Sequence, residues 1–512
     1  MTTDDVQGST GQGSADRVEV AIVGGGPVGM LLAGELALHG VGVLVLERLP
    51  RPTGESKAGT LHSRTAETLH RRGLLAAVQP GRPAPAGSRG PVPFHFAGMF
   101  ELDLARVVDE GPVLVGSPQA YAEQVFADRA VALGARIERD SEVVGLTERG
   151  DGVELEVRSS TGTTRRVTAG WCVGCDGARS AVRKLAGIPF VGTPATISAL
   201  MGDVRLLDPY SAPHGWQRNE RGWTLFWTNP GGHSRVCSYD FTAPHPDRGA
   251  PVTLAELRGE IERIAGVPVP MDSPRWLTRF SDAALLAEPY RRGRVLLAGD
   301  AAHVHFPMGG QGVNLGLQDA VNLGWKLAGE VAGWAPPELL DTYHGERAPV
   351  AARVLYNVRA QVGLMLPDHR VDPLRELFAE LMHLPQVNDF LSRMISGQDV
   401  RYDTGDRADP LVGLLAPDLR LKVGSELVSV AELLRAGRPV LFDFAGPSPL
   451  GELAAGWADR VDVVVATCEE VVAAPALLVR PDGYIAWSGR GLDSDRHTLD
   501  VALRAWFGCP KA

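Results

Sequence analysis

The sequence VEVAIVGGGPVG, residues 18–29, decides the fold of this chain. Its first half is an apolar, β-branched run of the kind that forms a buried strand, and its second half is a glycine-rich turn. Residues 27–39 then show helical periodicity, and residues 43–46 form a second apolar run that ends at Glu47. The order of strand, glycine turn, helix and strand predicts the βαβ unit of a Rossmann-like α/β domain.

The glycines of this turn fit the GxGxxG fingerprint, in which each glycine has a separate task. Gly24 permits the tight turn, Gly26 lets a pyrophosphate approach the backbone, and Gly29 lets the helix pack closely on the strand. Backbone amides at the start of the helix, beside Pro27, face the negative pyrophosphate. Glu47 can accept hydrogen bonds from a ribose. The motif therefore predicts a site for an ADP-containing dinucleotide.

The length and composition are typical of a multidomain globular enzyme. A chain of 512 residues has room for about two to four domains. Hydrophobic residues make up 44% of the chain and charged residues 22%, as in ordinary globular proteins. The net charge of −10 argues against a nucleic-acid partner, whose phosphates favour a basic surface. No apolar run approaches the roughly 18 residues that span a bilayer, so no membrane partner is expected.

The N-terminus and the cysteines favour the cytoplasm. Residues 1–17 lack the basic start and apolar centre of a signal peptide, and we expect them to form a disordered lead-in. Five scattered cysteines do not indicate a disulfide framework. Cys172 and Cys175 form a CxxC, but no second CxxC and no histidine pair at zinc spacing accompanies it. We therefore expect no metal site.

Two later motifs indicate which dinucleotide is bound. Residues 174–183 read GCDGARSAVR and follow an apolar strand pattern. Residues 294–303 read RVLLAGDAAH, and the sequence continues through PMGGQGVN at residues 307–314. A dehydrogenase that only binds NAD has no need of these two motifs.

With these three ordered motifs, the chain resembles the group A flavoprotein monooxygenases of the para-hydroxybenzoate hydroxylase fold. Within that group it is similar to the aromatic polyketide hydroxylases of angucycline, anthracycline and tetracycline pathways. The resemblance implies an α/β protein with a Rossmann-like FAD-binding domain, an antiparallel-sheet substrate domain and a C-terminal thioredoxin-like domain. It also implies that NADPH or NADH reduces the FAD, and that O2 then hydroxylates an aromatic polycyclic substrate through a flavin C4a-hydroperoxide.

The resemblance and the strand patterns together divide the chain. The expected parts are residues 18–190 (FAD-binding domain, with residues 86–113 contributing to the substrate lobe), 191–285 (substrate-binding domain), 286–395 (second part of the FAD-binding domain and helices) and 411–512 (terminal domain). The terminal domain contains Cys468 and Cys509 but no CxxC, so thiol–disulfide exchange is not expected there. Packing, homodimer formation or scaffolding is the better interpretation.

Cofactor contacts are carried over residue by residue. Asp300 is expected at the ribityl or pyrophosphate part of FAD, because a carboxylate accepts hydroxyl hydrogen bonds with charge assistance. Lys57 stands where relatives often carry Arg, so the charge is kept and the bidentate geometry is lost. Arg64 is a second cationic candidate, with a solvated helix-start residue as the alternative. The full expected set is Gly24, Gly26, Pro27, Gly29, Glu47, Arg48, Lys57, Gln119, Asp176, Gly299, Asp300, Pro307, Gly310, Gln311, Gly312, Val313 and Asn314.

A cluster of aromatic residues is expected to form the substrate site, because flat rings stack on one another. The alternative for each of these residues is a place in the hydrophobic core of the lobe. The expected substrate contacts are Phe96, Trp216, Trp223, Phe226, Trp227, Pro307, Met308 and Gly309.

The sequence names no catalytic residue. A base that deprotonates a phenol would help the reaction, and the candidates are His95, His214, His233, His303 and His305, each of which also has a structural interpretation. Baeyer–Villiger oxygenation of a polycyclic ketone and inactivation of an aromatic antibiotic use the same flavin machinery and stay open. A non-catalytic flavin-binding partner in a tailoring complex is the alternative from another class.

Overall fold

The computed structural model describes residues 16–79, 90–108, 110–247, 249–404, 409–444, 446, 449–490 and 492–511. Most of the expected lead-in at residues 1–17 lies outside the described residues, but Asp16 and Arg17 already belong to the first strand. Residues 86–89 and 109, in the segment expected to join the substrate lobe, also lie outside the described residues. Across the described ranges, no helix is both long and apolar enough to cross a bilayer.

The secondary structure alternates between helices and short strands. The helices are α1 Pro27–Leu38, α2 Ser63–His70, α3 Gln119–Ala132, α4 Ala181–Leu185, α5 Leu254–Ala265, α6 Gln311–Val331, α7 Thr342–Met365, α8 Asp372–Met382, α9 Pro385–Ser396, α10 Val430–Leu433, α11 Pro449–Ala454 and α12 Arg496–Phe507. The strands are β1 Asp16–Val23, β2 Val43–Leu46, β3 Thr60–His62, β4 Pro93–Phe96, β5 Met99–Asp103, β6 Leu114–Gly116, β7 Arg136–Glu138, β8 Glu142–Arg149, β9 Gly152–Arg158, β10 Thr164–Gly174, β11 Phe190–Thr193, β12 Ser198–Leu206, β13 Gly215–Asn219, β14 Gly222–Trp227, β15 Ser234–Asp240, β16 Met271–Ser281, β17 Ala284–Ala287, β18 Arg291–Arg292, β19 Val295–Leu297, β20 His303–Val304, β21 Arg420–Val423, β22 Glu426–Ser429, β23 Val440–Asp443, β24 Asp462–Val465, β25 Thr467–Cys468, β26 Ala476–Val479 and β27 Ile485–Gly489.

The FAD-binding region is built on a parallel sheet. Strands β7, β2, β1, β10 and β19 lie side by side in parallel, and the antiparallel pair β8 and β9 joins through β10. Val20, Ala21 and Ile22 have no solvent exposure, as expected for a central parallel strand covered on both faces. The carboxyl ends of β1, β10 and β19 therefore meet at one edge, where the three sequence motifs begin.

The substrate lobe is a separate antiparallel sheet with the order β13-β14-β15-β12-β16. Successive side chains of β14 point to opposite faces. Trp223 and Leu225 belong to the large core shared with the FAD-binding region. Phe226 packs on the other face with Leu257 and Ile261 of α5. The lobe thus has one face toward the FAD-binding region and one toward its own helix.

The terminal region contains two small sheets. One has the order β24-β23-β26-β27, with β23 and β24 parallel and the other pairs antiparallel. The Pro481–Asp482–Gly483 sequence between two apolar runs predicts a hairpin, and the pairing of β26 with β27 confirms it. Cys468 and Cys509 are free thiols, as are Cys172 and Cys175. Burial raises the pKa of the Cys172 thiol, which favours the structural interpretation of its CxxC.

A buried ion cluster joins the long helices to the terminal region. We call Lys326, Glu346, Arg480 and Asp482 the ion cluster. The Glu346 carboxylate accepts hydrogen bonds from Lys326 Nζ at 2.8 Å and from Arg480 Nη1 at 2.6 Å. Asp482 accepts one from Arg480 Nη2 at 2.5 Å. Two cations and two carboxylates therefore compensate one another at the contact between α6, α7 and the β26–β27 turn.

Candidate flavin and substrate site

The first glycine turn has the close approaches that exclude any side chain. Gly24 has a φ of 109°, and a Cβ atom there would lie 2.4 Å from the Cys175 carbonyl oxygen. A Cβ on Gly29 would lie 2.1 Å from the Gly24 carbonyl oxygen. A Cβ on Gly26, by contrast, would have no described atom within 4 Å. The turn thus leaves open space above Gly26, beside the N-terminus of α1 with Pro27 at its first position.

Glu47 is fixed by the backbone on both sides of the turn. Its two carboxylate oxygens accept hydrogen bonds from the Gly25 amide at 2.7 Å and from the Leu49 amide at 2.8 Å. These bonds orient the carboxylate and leave further lone pairs for a ribose. Arg48, the next residue, is exposed to solvent.

The second motif presents a carboxylate with one vacant oxygen. Oδ2 of Asp176 accepts hydrogen bonds from the Ala181 amide at 2.6 Å and the Val182 amide at 3.1 Å, at the start of α4. Oδ1 of Asp176 is buried and has no hydrogen-bond partner among the described residues. A buried polar atom without a partner is costly, so this oxygen points to a bound donor.

The third motif is held from beneath by α6. Asp319 accepts hydrogen bonds from the Gly299 amide at 3.1 Å and from His303 Nε2 at 2.7 Å. The next residue, Asp300, is exposed, and no hydrogen bond of its carboxylate is found in the described part of the chain. Desolvation by the surrounding protein raises the pKa of Asp300, while His303 and Lys57 oppose this shift. Lys57 also pairs with Glu55 at 3.3 Å.

The loop after β20 brings two left-handed glycines to the start of α6. Gly309 and Gly310 have φ values of 73° and 64°, which L side chains rarely adopt. We call residues 307–312 the flavin loop. Asn314 fixes it by donating to the Gly310 carbonyl at 2.8 Å and accepting from the His62 amide at 2.8 Å. The Gln311 side chain accepts from Asn357 at 2.7 Å. The side chains of Gln311 and Asn314 are therefore taken up by protein contacts, which leaves their backbones for a cofactor.

The faces of α6 separate two environments. Val313 and Leu317 face a narrow pocket that Pro27 and Gln119 also line. Gln119 accepts a hydrogen bond there from the Ala58 amide at 3.3 Å. The first residue of α1 and this face of α6 therefore meet at one pocket, beside the expected ribityl contact Gln119. Gly312 lies partly exposed at the start of the same helix.

Two buried histidines beside the flavin loop each have one vacant nitrogen. His62 Nε2 lies 2.8 Å from the Gly309 carbonyl oxygen and His305 Nδ1 lies 2.8 Å from the Phe306 carbonyl oxygen. A carbonyl only accepts, so these nitrogens carry the protons and the other nitrogen of each ring has a free lone pair. His62 Nδ1 and His305 Nε2 are buried and have no partner among the described residues. Burial lowers the pKa of each imidazole to about 4, which keeps both neutral at pH 7.

Aromatic rings connect the flavin loop to the substrate lobe. Tyr239 lies 5.7 Å from Phe306, the residue before the loop, and stacks on Trp216 at 5.4 Å. His95 lies 5.4 Å from Trp216, on the side of the hairpin β4–β5. Because these rings form one continuous set, the face of the lobe that carries Trp216 is the one turned to the loop.

Other expected substrate residues are placed differently. Phe226 is a correction: it is fully buried against α5, on the opposite face of the sheet, because strand alternation turns it away from Trp223. Phe96 and Trp223 are buried. Phe96 stacks on Phe378 at 5.3 Å, and Trp223 donates to the Met365 carbonyl at 2.7 Å. Trp227 is 56% exposed.

The flavin loop itself contributes three of the expected substrate contacts. Met308 and Gly309 are buried, and Pro307 is exposed.

The histidines singled out as possible bases also separate. His303 is bound to Asp319, and the half-buried His233 lies 2.9 Å from the Ser273 carbonyl. The His214 carbonyl accepts from Gln217 within the lobe. His62 was not among the expected bases, yet it lies beside the flavin loop. In the sequence it is an isolated histidine just before a helix, and no motif marks it.

Arg64 is buried, so its solvated interpretation is wrong. Its guanidinium donates to Glu67 at 2.8 Å and to the Gly397 carbonyl at 3.1 Å. These contacts tie the start of α2 to the end of α9.

The comparisons with known proteins agree with this geometry. Residues 17–358 match the family described as FAD binding domain, and residues 409–510 match the aromatic-ring hydroxylase C-terminal family. The chain is an FAD-dependent aromatic-ring hydroxylase. A 12-dehydrotetracycline 5-monooxygenase/anhydrotetracycline 6-monooxygenase from Streptomyces rimosus is 42% identical over 96% of this chain and 99% of its own length. Rifampicin monooxygenase from Streptomyces venezuelae is also 42% identical, over 96% of this chain and 99% of its own length.

Among solved structures, the hydroxylase superposes on CabE, an aromatic hydroxylase from angucycline biosynthesis. The TM-score is 0.89 at 39% identity, with 97% of this chain and all of CabE covered (100%). The similarity therefore extends over the whole described architecture, including the terminal region. The residues of the site fit FAD: the space above Gly26, the vacant Asp176 oxygen and the accessible Asp300 carboxylate are the features that a dinucleotide with a polyhydroxyl chain would fill.

Proposed function

We propose that this hydroxylase adds one oxygen atom from O2 to a polycyclic aromatic substrate of the polyketide type, with NADPH or NADH as electron donor. The observation that carries the proposal is the ring set formed by Phe306, Tyr239 and Trp216, which joins the flavin loop to the inner face of the substrate lobe. Trp216 is the partly exposed ring of this set, and a flat, multi-ring substrate can stack on it. The tetracycline and angucycline enzymes among its relatives act on compounds of this shape, which supports the same class here.

In this proposal, FAD supplies the redox chemistry and the chain supplies position and charge. The glycine turn and the N-terminus of α1 hold the pyrophosphate, and Glu47 holds the adenosine ribose. Asp300 and Gln119 would hold the ribityl chain, and Asp176 Oδ1 would accept a hydrogen bond from a cofactor hydroxyl. Backbone amides at the start of α6 stabilise negative charge on the reduced ring. Lys57 adds a cation near Asp300.

We also propose that His62 accepts a hydrogen bond from the substrate. Its ring lies 5.5 Å from that of Phe94, and Phe94 stacks on His95. These three rings together extend from the flavin loop to the substrate lobe. With Nε2 committed to Gly309, only Nδ1 can receive a hydrogen bond. A phenolic hydroxyl is a matching donor, and a hydrogen bond from it increases the electron density of the ring to be hydroxylated.

The surrounding core excludes water from this region. Tyr239, Phe306 and Met308 belong to one continuous hydrophobic cluster, and each is less than 4% exposed. Exclusion of water protects reactive intermediates from hydrolysis and strengthens the local electrostatics.

The remaining parts of the proposal concern the terminal region and the location. In residues 411–512, a parallel pair (β23, β24) continues into an antiparallel pair (β26, β27) and a final helix α12, and this order supports a thioredoxin-like domain. We retain 18–190, 191–285 and 286–395 as the extents of the other domains, the cytoplasm as the location and a homodimer as the assembly.

The test is a reduction experiment on purified protein. The FAD-loaded enzyme is mixed anaerobically with NADPH, in the presence and absence of anhydrotetracycline as a polycyclic phenol, and bleaching of the flavin band is followed. The proposal expects bound FAD and faster reduction with the phenol present. A protein that takes up no FAD, or whose reduction no polycyclic aromatic accelerates, contradicts it. Product analysis separates the two oxygenations, because hydroxylation gives a phenol and Baeyer–Villiger insertion gives an ester or lactone.

A further inference from the structure

A second cavity lies behind α6, on the face turned away from the flavin pocket. Its volume is ≈ 260 Å³, and Gln311, Asn314, Leu315 and Gln318 form its α6 wall. These positions share one helix face because they are three or four residues apart. Val313 and Leu317, which line the flavin-side pocket, lie on another face. We call this space the rear cavity; it shares Gln311 and Asn314 with the expected cofactor contacts.

The rear cavity has an apolar body and a cationic rim. Apolar side chains from α6, α7 and α9 form its body: Leu315, Pro349, Val350, Val354, Met394 and Ile395. Arg353 and Arg401 lie at the rim, where Arg353 is 4.0 Å from Asp399. Arg401 donates to the Val412 and Asp409 carbonyls at 3.0 and 2.7 Å, so its charge faces backbone oxygens there. The lining carries four arginines and one carboxylate. Arg64 and Arg347 are paired with Glu67 and Asp319, so Arg353 and Arg401 are the cations that remain for a ligand.

One wall of the cavity contains a hydroxyl that lacks a partner. Thr65 Oγ1 is buried and has no hydrogen-bond partner among the described residues. Thr65 and Tyr484 both line the cavity, and each is no more than 2% exposed. Buried hydroxyls are normally hydrogen-bonded, so an acceptor is expected beside Thr65. Tyr484 belongs to the terminal region, which therefore contributes directly to the site.

We propose that the rear cavity binds a small organic anion, an aromatic carboxylate or phenolate of one or two rings. The apolar body takes the rings, Arg353 and Arg401 compensate the charge, and the Thr65 hydroxyl donates to a polar substituent. The volume lies just below the range of about 300–1,000 Å³ for drug-sized ligands, which limits the occupant to a small molecule. Gln311 belongs to both the cavity wall and the flavin loop, and Asn314 of the same wall fixes that loop, so this ligand contacts residues that hold the loop.

The proposal is independent of the substrate assignment, and its test uses the FAD-loaded full-length protein. Isothermal titration with 2-naphthoate is compared with the neutral 2-naphthamide. Val350→Trp fills the cavity, and Arg353→Gln removes a rim cation whose side chain is 40% exposed. Arg359→Gln is the matched control, because Arg359 is an exposed arginine of the same helix and does not line the cavity. Trp216→Ala tests whether the probe binds in the substrate lobe instead.

We expect one saturable site for 2-naphthoate. The amide and the Arg353→Gln variant should bind at least about tenfold more weakly, since a hydrogen bond to a charged group is lost. Val350→Trp should abolish binding, while Arg359→Gln and Trp216→Ala leave it unchanged. Absence of saturable binding at about 1 mM overturns the proposal, as does binding that Arg353→Gln leaves intact or that Trp216→Ala removes.

Discussion

Replacement of Glu346 by Gln should detach the terminal region from the long helices. The Glu346 carboxylate is the only group of α7 in the ion cluster, and it accepts hydrogen bonds from Lys326 and from Arg480 at 2.6–2.9 Å. Although burial alone would raise the pKa of Glu346, the adjacent Arg480 and Lys326 lower it to about 2. The side chain is therefore ionised throughout the physiological range.

The magnitude follows from the charge balance of the cluster. Two cations and two carboxylates compensate one another in the native protein, so Glu346→Gln leaves two buried cations facing only Asp482. Removal of one partner from a buried ion pair costs about 3–5 kcal/mol. The contribution of Glu346 is present above its unfolded pKa of 4.5 and is lost as the pH falls toward 2. The difference between the two proteins should therefore shrink over that acidic range.

Tryptophan fluorescence during urea unfolding measures this effect at the right place. Arg480 lies 4.5 Å from the ring of Trp506 and 5.4 Å from that of Trp325, so both indoles report on the contact. Glu452→Gln is the control, because that side chain is 83% exposed and its loss should change the free energy by less than about 0.5 kcal/mol. If Glu346→Gln unfolds with a free energy within 1 kcal/mol (about a fivefold change in equilibrium) of the parent, the cluster does not hold the terminal region.

Four further predictions concern the site. Gly29→Ala places a Cβ 2.1 Å from the Gly24 carbonyl, and the purified variant should have a clearly lower flavin-to-protein absorbance ratio; full flavin loading would show that the turn tolerates it. Asp300→Ala should weaken FAD binding in a flavin-release titration, and unchanged affinity removes Asp300 from its proposed role. Phe226→Ala should cost about 3–5 kcal/mol of stability, as for a buried Phe, yet leave substrate-stimulated flavin reduction intact; loss of that stimulation at full folding would return Phe226 to the substrate wall. His62→Phe should raise the KM of a phenolic substrate more than it lowers kcat, without changing the pH profile between about pH 5 and 8, because the native ring is neutral there; a shifted profile would make His62 a titrating base.

The sequence was sufficient where the signal is local. The GxGxxG turn, the following helix and the β26–β27 hairpin depend on residues close together in the chain, and their positions agree with the prediction within a few residues. Boundaries were less accurate: the pattern of residues 65–72, followed by Gly73, predicts a helix over that range, whereas α2 lies at Ser63–His70. There, the Asn314 side chain binds the backbone just before the helix, a contact between residues 252 positions apart.

Contacts between distant segments were beyond the sequence. Phe226 and Trp223 looked equivalent because both are aromatic, and only the strand register separates the face toward α5 from the face toward the flavin loop. His62 contacts Gly309, which lies 247 positions further along the chain, so no local sequence pattern predicts this contact. Gln311 and Asn314 carry a family motif, yet tertiary contacts occupy their side chains. Local patterns thus predicted the cofactor side better than the substrate side.

The most direct test of the central claim is oxygen isotope incorporation. The FAD-loaded enzyme is incubated with NADPH, anhydrotetracycline or a related polycyclic phenol, and ¹⁸O2, and the product is analysed by mass spectrometry. We expect a hydroxylated product in which the added oxygen is ¹⁸O, with one NADPH consumed for each product molecule. Products that carry no ¹⁸O, or NADPH oxidation that yields only hydrogen peroxide with every polycyclic aromatic tested, would contradict it.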